Sequence, residues 1–346
     1  LSFAKPRVQQ SRDLETEFDA AIIGAVFSDA GVLAAALGDG TVRLIAADHN
    51  IRTVQVHDGA ALCLALDLDG QSFITGGDDG RLVRTSTDGE VAELMSAPGQ
   101  QIDVLAMSRP AKARAVAIGK EVRLLDAAGV VQARAADHPS TVAGLAFNPK
   151  GRRLAVAHYG GVTLWRTATL GRSPHRLDWR GSHIGVSWSP DGRYVVTAMQ
   201  ERELHGWRAA DGEDLAMRGY SAKIRSTDWL ARPPILATAG ADCVTLWSFA
   251  GAGPKGRLPI ELCQRTERLV TRVAIHPTQS LVAAGFDDGC VAVCEMTRKT
   301  GDRVFPIRPG EGGRVTALVW SPDGTRLAIG TEQGALSLFD LSHAAS

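Results

Sequence analysis

The 346-residue chain carries 38 basic and 38 acidic side chains. A formal net charge of zero speaks against a dedicated nucleic-acid binder, which needs a basic excess to neutralise phosphates. A hydrophobic fraction of 45% is enough for a large core, yet no apolar run reaches the roughly 18 residues of a membrane-spanning helix.

The opening LSFAKPRVQQSRDLETEF has no apolar targeting core, so no secretory leader is expected; it does not begin with Met, which leaves the natural start open. The five cysteines, Cys63, Cys243, Cys263, Cys290 and Cys294, are odd in number and scattered, unlike a disulfide framework. Cys290 and Cys294 sit four residues apart in a predicted strand. At about 3.3 Å per residue that is roughly 13 Å, beyond disulfide or shared-metal reach. Buried free thiols in a cytoplasmic protein are therefore expected.

Residues 7–18 read as one strand. Eight repeats follow, each led by a strand whose last apolar residue serves as a marker: Phe27, Leu66, Met107, Phe147, Trp188, Trp229, Ile275 and Trp320. Successive markers lie 39 to 46 residues apart, the period of a four-stranded propeller blade. The turn after the marker also recurs, as Ser189-Pro190-Asp191-Gly192 and Ser321-Pro322-Asp323-Gly324, with Asn148-Pro149-Lys150-Gly151 a close variant. Proline presets φ for a type I turn, and glycine takes the left-handed position that closes the hairpin. Residues 249–265 and 297–313 lengthen the last two spacings; the first contains Gly251-Ala252-Gly253-Pro254-Lys255-Gly256, read as a flexible insertion. The final repeat is the clearest, with apolar residues alternating through 315–320, 326–330 and 335–340. Only six residues remain after it, too few for a fourth strand. Residues 7–18 are therefore expected to pair beside 335–340 and remove the open sheet edges.

Phrases around the second and third strands carry a family resemblance. Leu236-Ala237-Thr238-Ala239-Gly240, Asp242 and Val244-Thr245-Leu246-Trp247 in repeat six resemble WD repeats. So do Thr75-Gly76-Gly77-Asp78-Asp79-Gly80 and Ala284-Gly285-Phe286-Asp287-Asp288-Gly289, and the likeness runs over essentially the whole chain. It implies an all-β fold, an eight-bladed β-propeller of four-stranded antiparallel blades. Residues 1–346 would form a single domain, with residues 1–18 supplying the strand that completes the last blade. The resemblance also implies a tetrad of His, Ser/Thr, Asp and Trp within a blade, which no repeat holds complete. Repeat two offers His57, Thr75 and Asp79 with Thr85 in place of Trp. Repeat six offers Thr238, Asp242 and Trp247 with Tyr220 near the His position, and repeat four His138 and Trp165 without the Asp.

No catalytic, cofactor or metal site is expected. The histidines show no metal-ligand spacing; His57 and His138 hold structural positions, and His205 lies two residues before Trp207, where other repeats place Arg or Thr. Asp103, Asp228, Arg225 and Arg272 are scattered over three innermost strands, and neither a glycine-rich phosphate loop nor a nucleophile elbow is present. Six of the seven tryptophans take marker or third-strand positions; Trp179, beside Arg180, falls in a connection between repeats.

The resemblance implies a non-catalytic protein–protein interaction scaffold that binds a partner protein or peptide on one face. The alternative is a propeller enzyme with a cofactor or metal at the central channel. Basic residues recur in the loops entering repeats five to eight: Arg180, Lys223, Arg225, Arg268 and Arg314. Acidic Asp39, Asp78, Asp79, Asp287 and Asp288 sit in the turns of repeats one, two and seven. The expected partner surface is Lys223, Arg225, Arg268 and Arg314 against an acidic segment, with Trp179 and Arg180 as an anchor at its edge. No nucleic acid or membrane insertion is expected, and the chain is expected to be a subunit of a larger complex.

Overall fold

A computed structural model describes residues 11–296 and 303–342, arranged as antiparallel sheets in series. The first sheet shows the pattern: Ile22–Phe27, Leu33–Leu37, Thr41–Ile45 and Ile51–Gln55 pair in order, each with its neighbour in sequence. The second strand is wholly buried, whereas only Val54 is buried in the fourth. Burial thus falls from the inner strands to the outer edge. Strands buried on both faces lose the apolar–polar alternation, which is why LAAAL reads as a continuous apolar run.

The expected eight separate four-stranded blades are corrected. The described residues form seven sheets, six of four strands and one of six strands. Repeats four and five share the larger sheet, because two of its strands are fourteen residues long. Arg153–Arg166 doubles back at Gly160-Gly161, whose positive φ angles of 90° and 139° suit glycine, and Thr167 N–H donates to the Arg152 carbonyl at 3.0 Å. A Cβ on Gly161 would lie 2.1 Å from the Leu177 carbonyl oxygen, so the hairpin requires glycine there. His175–Trp188 pairs with Arg153–Arg166 through its first half and with Tyr194–Met199 through its second. Gly181 turns the chain at φ 134°, but pairing passes directly from Ser182 opposite Tyr159 to His183 opposite Met199, so no gap in the ladder separates one repeat from the next.

The last sheet joins the two ends of the chain. Ser11–Glu17 pairs antiparallel with Ala335–Asp340, from Ser11 opposite Asp340 to Glu17 opposite Ala335, and Phe18 N–H donates to Gly334 O at 3.0 Å. Leu14 and Phe18 pack against the core formed with Ile22, Leu336 and Leu338. Residues 7–10 of the expected closing strand, and residues 297–302 of the second long spacing, lie outside the described residues.

Marker tryptophans tie neighbouring repeats together. Trp188 Nε1 donates to Ala146 O at 3.0 Å, Trp229 Nε1 to Ser187 Oγ at 3.0 Å, and Trp320 Nε1 to Ala274 O at 3.1 Å. Trp188 and Trp320 are buried and Trp229 half-buried, and each indole spends its single N–H on the preceding repeat.

Two further expectations change. Cys263 and Cys294 are joined by a disulfide, with Cα atoms 6.2 Å apart, while Cys63, Cys243 and Cys290 are free. The partners lie 31 residues apart in adjacent repeats, and only the packing of one sheet on the next brings them together. The insertion 249–265 is anchored: Phe249 is buried against Tyr194 and Trp229, and Ile260–Leu262 forms the outer strand on Val244–Leu246.

Candidate functional site

The polar groups expected as tetrads hold individual repeats together. His57 Nδ1 lies 3.0 Å from Asp79 Oδ1 and Nε2 lies 2.9 Å from Thr75 Oγ1. A carboxylate only accepts, so Nδ1 carries the proton and Thr75 donates to Nε2. Burial pushes the His57 imidazole below its usual pKa and outweighs the upward pull of Asp79. Thr85, in the Trp position, leaves its buried hydroxyl without a partner among the described residues. In repeat six a relay replaces the tetrad: Trp247 Nε1 donates to Tyr220 OH at 2.7 Å, Tyr220 to Thr238 Oγ1 at 2.7 Å, and Thr238 to Thr245 O at 3.1 Å. Burial raises the Tyr220 phenol to about 12. Asp242 stands outside this relay and accepts from Gln264 Nε2 at 3.2 Å. In repeat four, Trp165 Nε1 donates to His138 Nε2 at 3.0 Å, and His138 Nδ1 donates to Lys120 O at 2.8 Å.

His183, which sequence reasoning passed over, plays the same part in repeat five, with Nδ1 2.8 Å from Thr197 Oγ1. It lies five residues before its marker Trp188, whereas His57 and His138 lie nine before Leu66 and Phe147, so repeat position gave no signal for it. Among the described residues no group of three or more His, Cys, Asp or Glu is placed to hold a metal ion. Asp228 is also structural: its carboxylate accepts from Ile275 N at 2.7 Å and Trp229 N at 2.8 Å, and burial raises its pKa.

The basic loops behave differently. Lys223, Arg225 and Arg314 line one cavity of about 330 Å³, together with Arg202 and Arg272. These side chains come from four repeats and converge because the links between repeats and the turns after second strands open on the same end of an antiparallel ring. Arg272 follows a β-bulge between Val270 and Arg272 in an inner strand, a device that re-aims a side chain. Its Nε donates to Thr316 O at 2.7 Å and its Nη1 to Thr271 O at 2.9 Å. Arg202, in a left-handed turn at φ 63°, donates to Ser221 O at 3.1 Å. No Asp or Glu is among the described residues lining the cavity. A second cavity of about 510 Å³ shares Arg225 and Arg272 and runs along the inner strands, past Ser187, Ser226, Thr227 and Gln200.

The other expected surface residues lie elsewhere. Arg268 is drawn to Asp288, with Nε 3.5 Å from Oδ2, and does not line the cavity. Trp179 stacks on His205, centroids 3.8 Å apart, and packs into the core of its own sheet; neither it nor Arg180 lines the cavity. Three of the five acidic turn residues are occupied structurally: Asp39 accepts from Thr41, Asp79 from His57, and Asp288 from Arg265 and Cys290 N. Arg202 and Arg272 were absent from the expected set; Arg272 had been marked only as a channel residue.

Comparison with known proteins agrees with this geometry. A family profile described as "WD domain, G-beta repeat" matches residues 49–83, and one described as "Anaphase-promoting complex subunit 4 WD40 domain" matches residues 270–346. The chain is 24% identical over 206 residues to WD repeat-containing protein 55 of Homo sapiens, covering 57% of this chain and 51% of that protein. It is 26% identical over 208 residues to the intraflagellar transport protein 80 homolog of Mus musculus, covering 59% and 25% respectively. The chain thus spans about half the length, or less, of these curated relatives. Among solved structures, the C-terminal WD40 domain of Sif2 superposes with a TM-score of 0.76 at 15% identity, covering 96% of this chain and 98% of that one. The computationally designed Ika8 protein gives 0.74 at 18% identity, covering 94% and 97%.

Proposed function

The chain is a divergent member of the WD40 β-propeller family, and from that premise we propose that it is a non-catalytic scaffold binding an acidic segment of a partner protein. WD40 propellers serve in general as protein-interaction scaffolds, and the names of the relatives carry no enzymatic function. The observation that carries the reading is the convergence of Lys223, Arg225 and Arg314 on one cavity whose described lining contains no carboxylate. None of these three side chains has an ion-pair partner among the described residues, whereas Arg268 on the same end is paired with Asp288. Like charges gathered in a concave site repel one another, and a complementary anionic segment offsets that repulsion and is steered in by the same field.

The test is a short fluorescein-labelled Glu-rich peptide, titrated by anisotropy at two salt concentrations. The wild type is expected to bind with affinity that falls as salt rises. Lys223→Glu/Arg225→Glu/Arg314→Glu should lose binding while melting as the wild type does. Equal binding by the charge-reversed protein would remove the cavity as the partner site.

A further inference from the structure

Resting on that reading, we propose that the cavity is a phosphomonoester subsite: Arg272 forms its floor, Arg225 and Arg314 its walls, and the acidic segment it takes is a phosphorylated one.

Arg272 carries the argument. Its side chain is half-buried on an inner strand, and its only hydrogen-bond partners among the described residues are two backbone carbonyls, those of Thr316 and Thr271. Nη2 makes no hydrogen bond to the described residues, although the side chain lines both cavities. Buried cations in folded proteins are paired with carboxylates, and breaking such a pair is strongly destabilising. The buried Arg114 of this chain follows the rule, with Asp67 on two of its nitrogens. Half-buried Arg272 has no carboxylate partner among the described residues: its charged neighbours are Arg225 and Arg314. Burial first, and then those two cations, push its pKa down. An anion supplied from outside resolves this imbalance.

The chemistry of the lining favours phosphate over a single carboxylate. Lys223, Arg202, Arg225, Arg272 and Arg314 bring five cations to about 330 Å³. One carboxylate balances one of them and offers two acceptor oxygens. A phosphomonoester carries about −1.5 to −2 charge and three terminal oxygens, and guanidinium forks match its geometry. At about 30 Å³ per water the volume admits a phosphorylated side chain together with several waters. A cavity of about 850 Å³ on the other end is also basic, through Lys112, Lys150, Arg152, Arg153 and Arg166. Its lining also holds Asp126, so a carboxylate already stands among those cations, whereas the described lining of the first cavity has none.

The experiment uses the full chain at constant pH and ionic strength, with three probes: inorganic phosphate, a peptide with one phosphoserine among neutral residues, and the Glu-rich peptide. Inorganic phosphate should raise the melting temperature where acetate does not, and the phosphoserine peptide should bind at least about tenfold more tightly than its unphosphorylated form. Arg272→Gln should remove both effects. The unliganded variant should melt at or above the wild type, because repulsion is relieved. If that variant unfolds, Arg314→Gln is read instead, with the same loss expected. Binding of free phosphate without a gain for the phosphoserine peptide would overturn the inference in favour of a free-anion site. Glu-rich peptide binding with no response to either phosphate probe would overturn it and leave the scaffold reading standing. No binding of any probe would remove both.

Discussion

Asp67 and Arg114 form a buried bidentate pair across two adjacent sheets, Nε to Oδ1 at 2.7 Å and Nη2 to Oδ2 at 2.8 Å. Arg84 adds Nε to Oδ2 at 3.0 Å, and Arg114 Nη1 reaches Asp126 O at 2.5 Å. The pair therefore links the first turn of repeat two to the second strand of repeat three, and every charged atom has a partner. Asp67→Ala leaves a buried guanidinium uncompensated and should destabilise the protein by about 3–5 kcal/mol in urea unfolding. His175→Ala, on an exposed outer strand, should cost under about 0.5 kcal/mol. Similar costs for the two would mean that water reaches Arg114.

Closure is the next test. Deleting residues 1–18 removes the strand Ser11–Glu17, the contact of Leu14 with the core and the Arg12 guanidinium 5.7 Å from the Phe339 ring centre. It also exposes the edge of Ala335–Asp340. Soluble yield and melting temperature should both fall. A truncated chain that melts with the full one would show that this strand adds nothing to the ring.

Acid should weaken the fold through its buried histidines. His205 is fully buried between Trp179 and Trp207, and neither ring nitrogen makes a hydrogen bond to the described residues. Burial pushes its imidazole down to about 4, against the weaker upward pull of Asp214. In the unfolded chain it titrates near 6.5. Between these values the unfolded state binds the proton and the folded state does not. Its stabilising share is therefore complete above about pH 6.5 and is lost as pH falls through about 4. His57, His138, His158, His183 and His276 shift the same way and form a common background. Urea melts from pH 7.5 to 4.5 should show His205→Phe losing less stability than the wild type over that window. Parallel curves would place the proton elsewhere.

Thiol counting checks the link between repeats six and seven. With Cys263 joined to Cys294, titration of the denatured protein without reductant should find three thiols, those of Cys63, Cys243 and Cys290. Reductant should raise the count to five and lower the melting temperature, because a cross-link between sheets restricts the unfolded chain. Five thiols before reduction would mean that the two sulfurs only pack together.

The sequence by itself determined the local structure. The Ser-Pro-Asp-Gly turns, the apolar runs and the recurrence of markers depend on neighbours within about 40 residues, and turn chemistry and burial act at that range. It also showed His57 with Thr75 and Asp79, since those positions fall within one repeat. What the tertiary structure decided involves two repeats at once. Continuity of His175–Trp188 through both of its partners merged two repeats and reduced the number of sheets to seven. Trp179 sat in a connection and read as a surface anchor, but its ring found His205, 26 positions along. Arg268 found Asp288, and Cys263 found Cys294, each on the adjoining sheet. Arg272 looked like one more charge on an inner strand. Its surroundings are set by the packing of successive sheets, which brings Arg225 and Arg314 beside it and no carboxylate into the described lining, because electrostatic balance belongs to the assembled cavity and not to any one repeat.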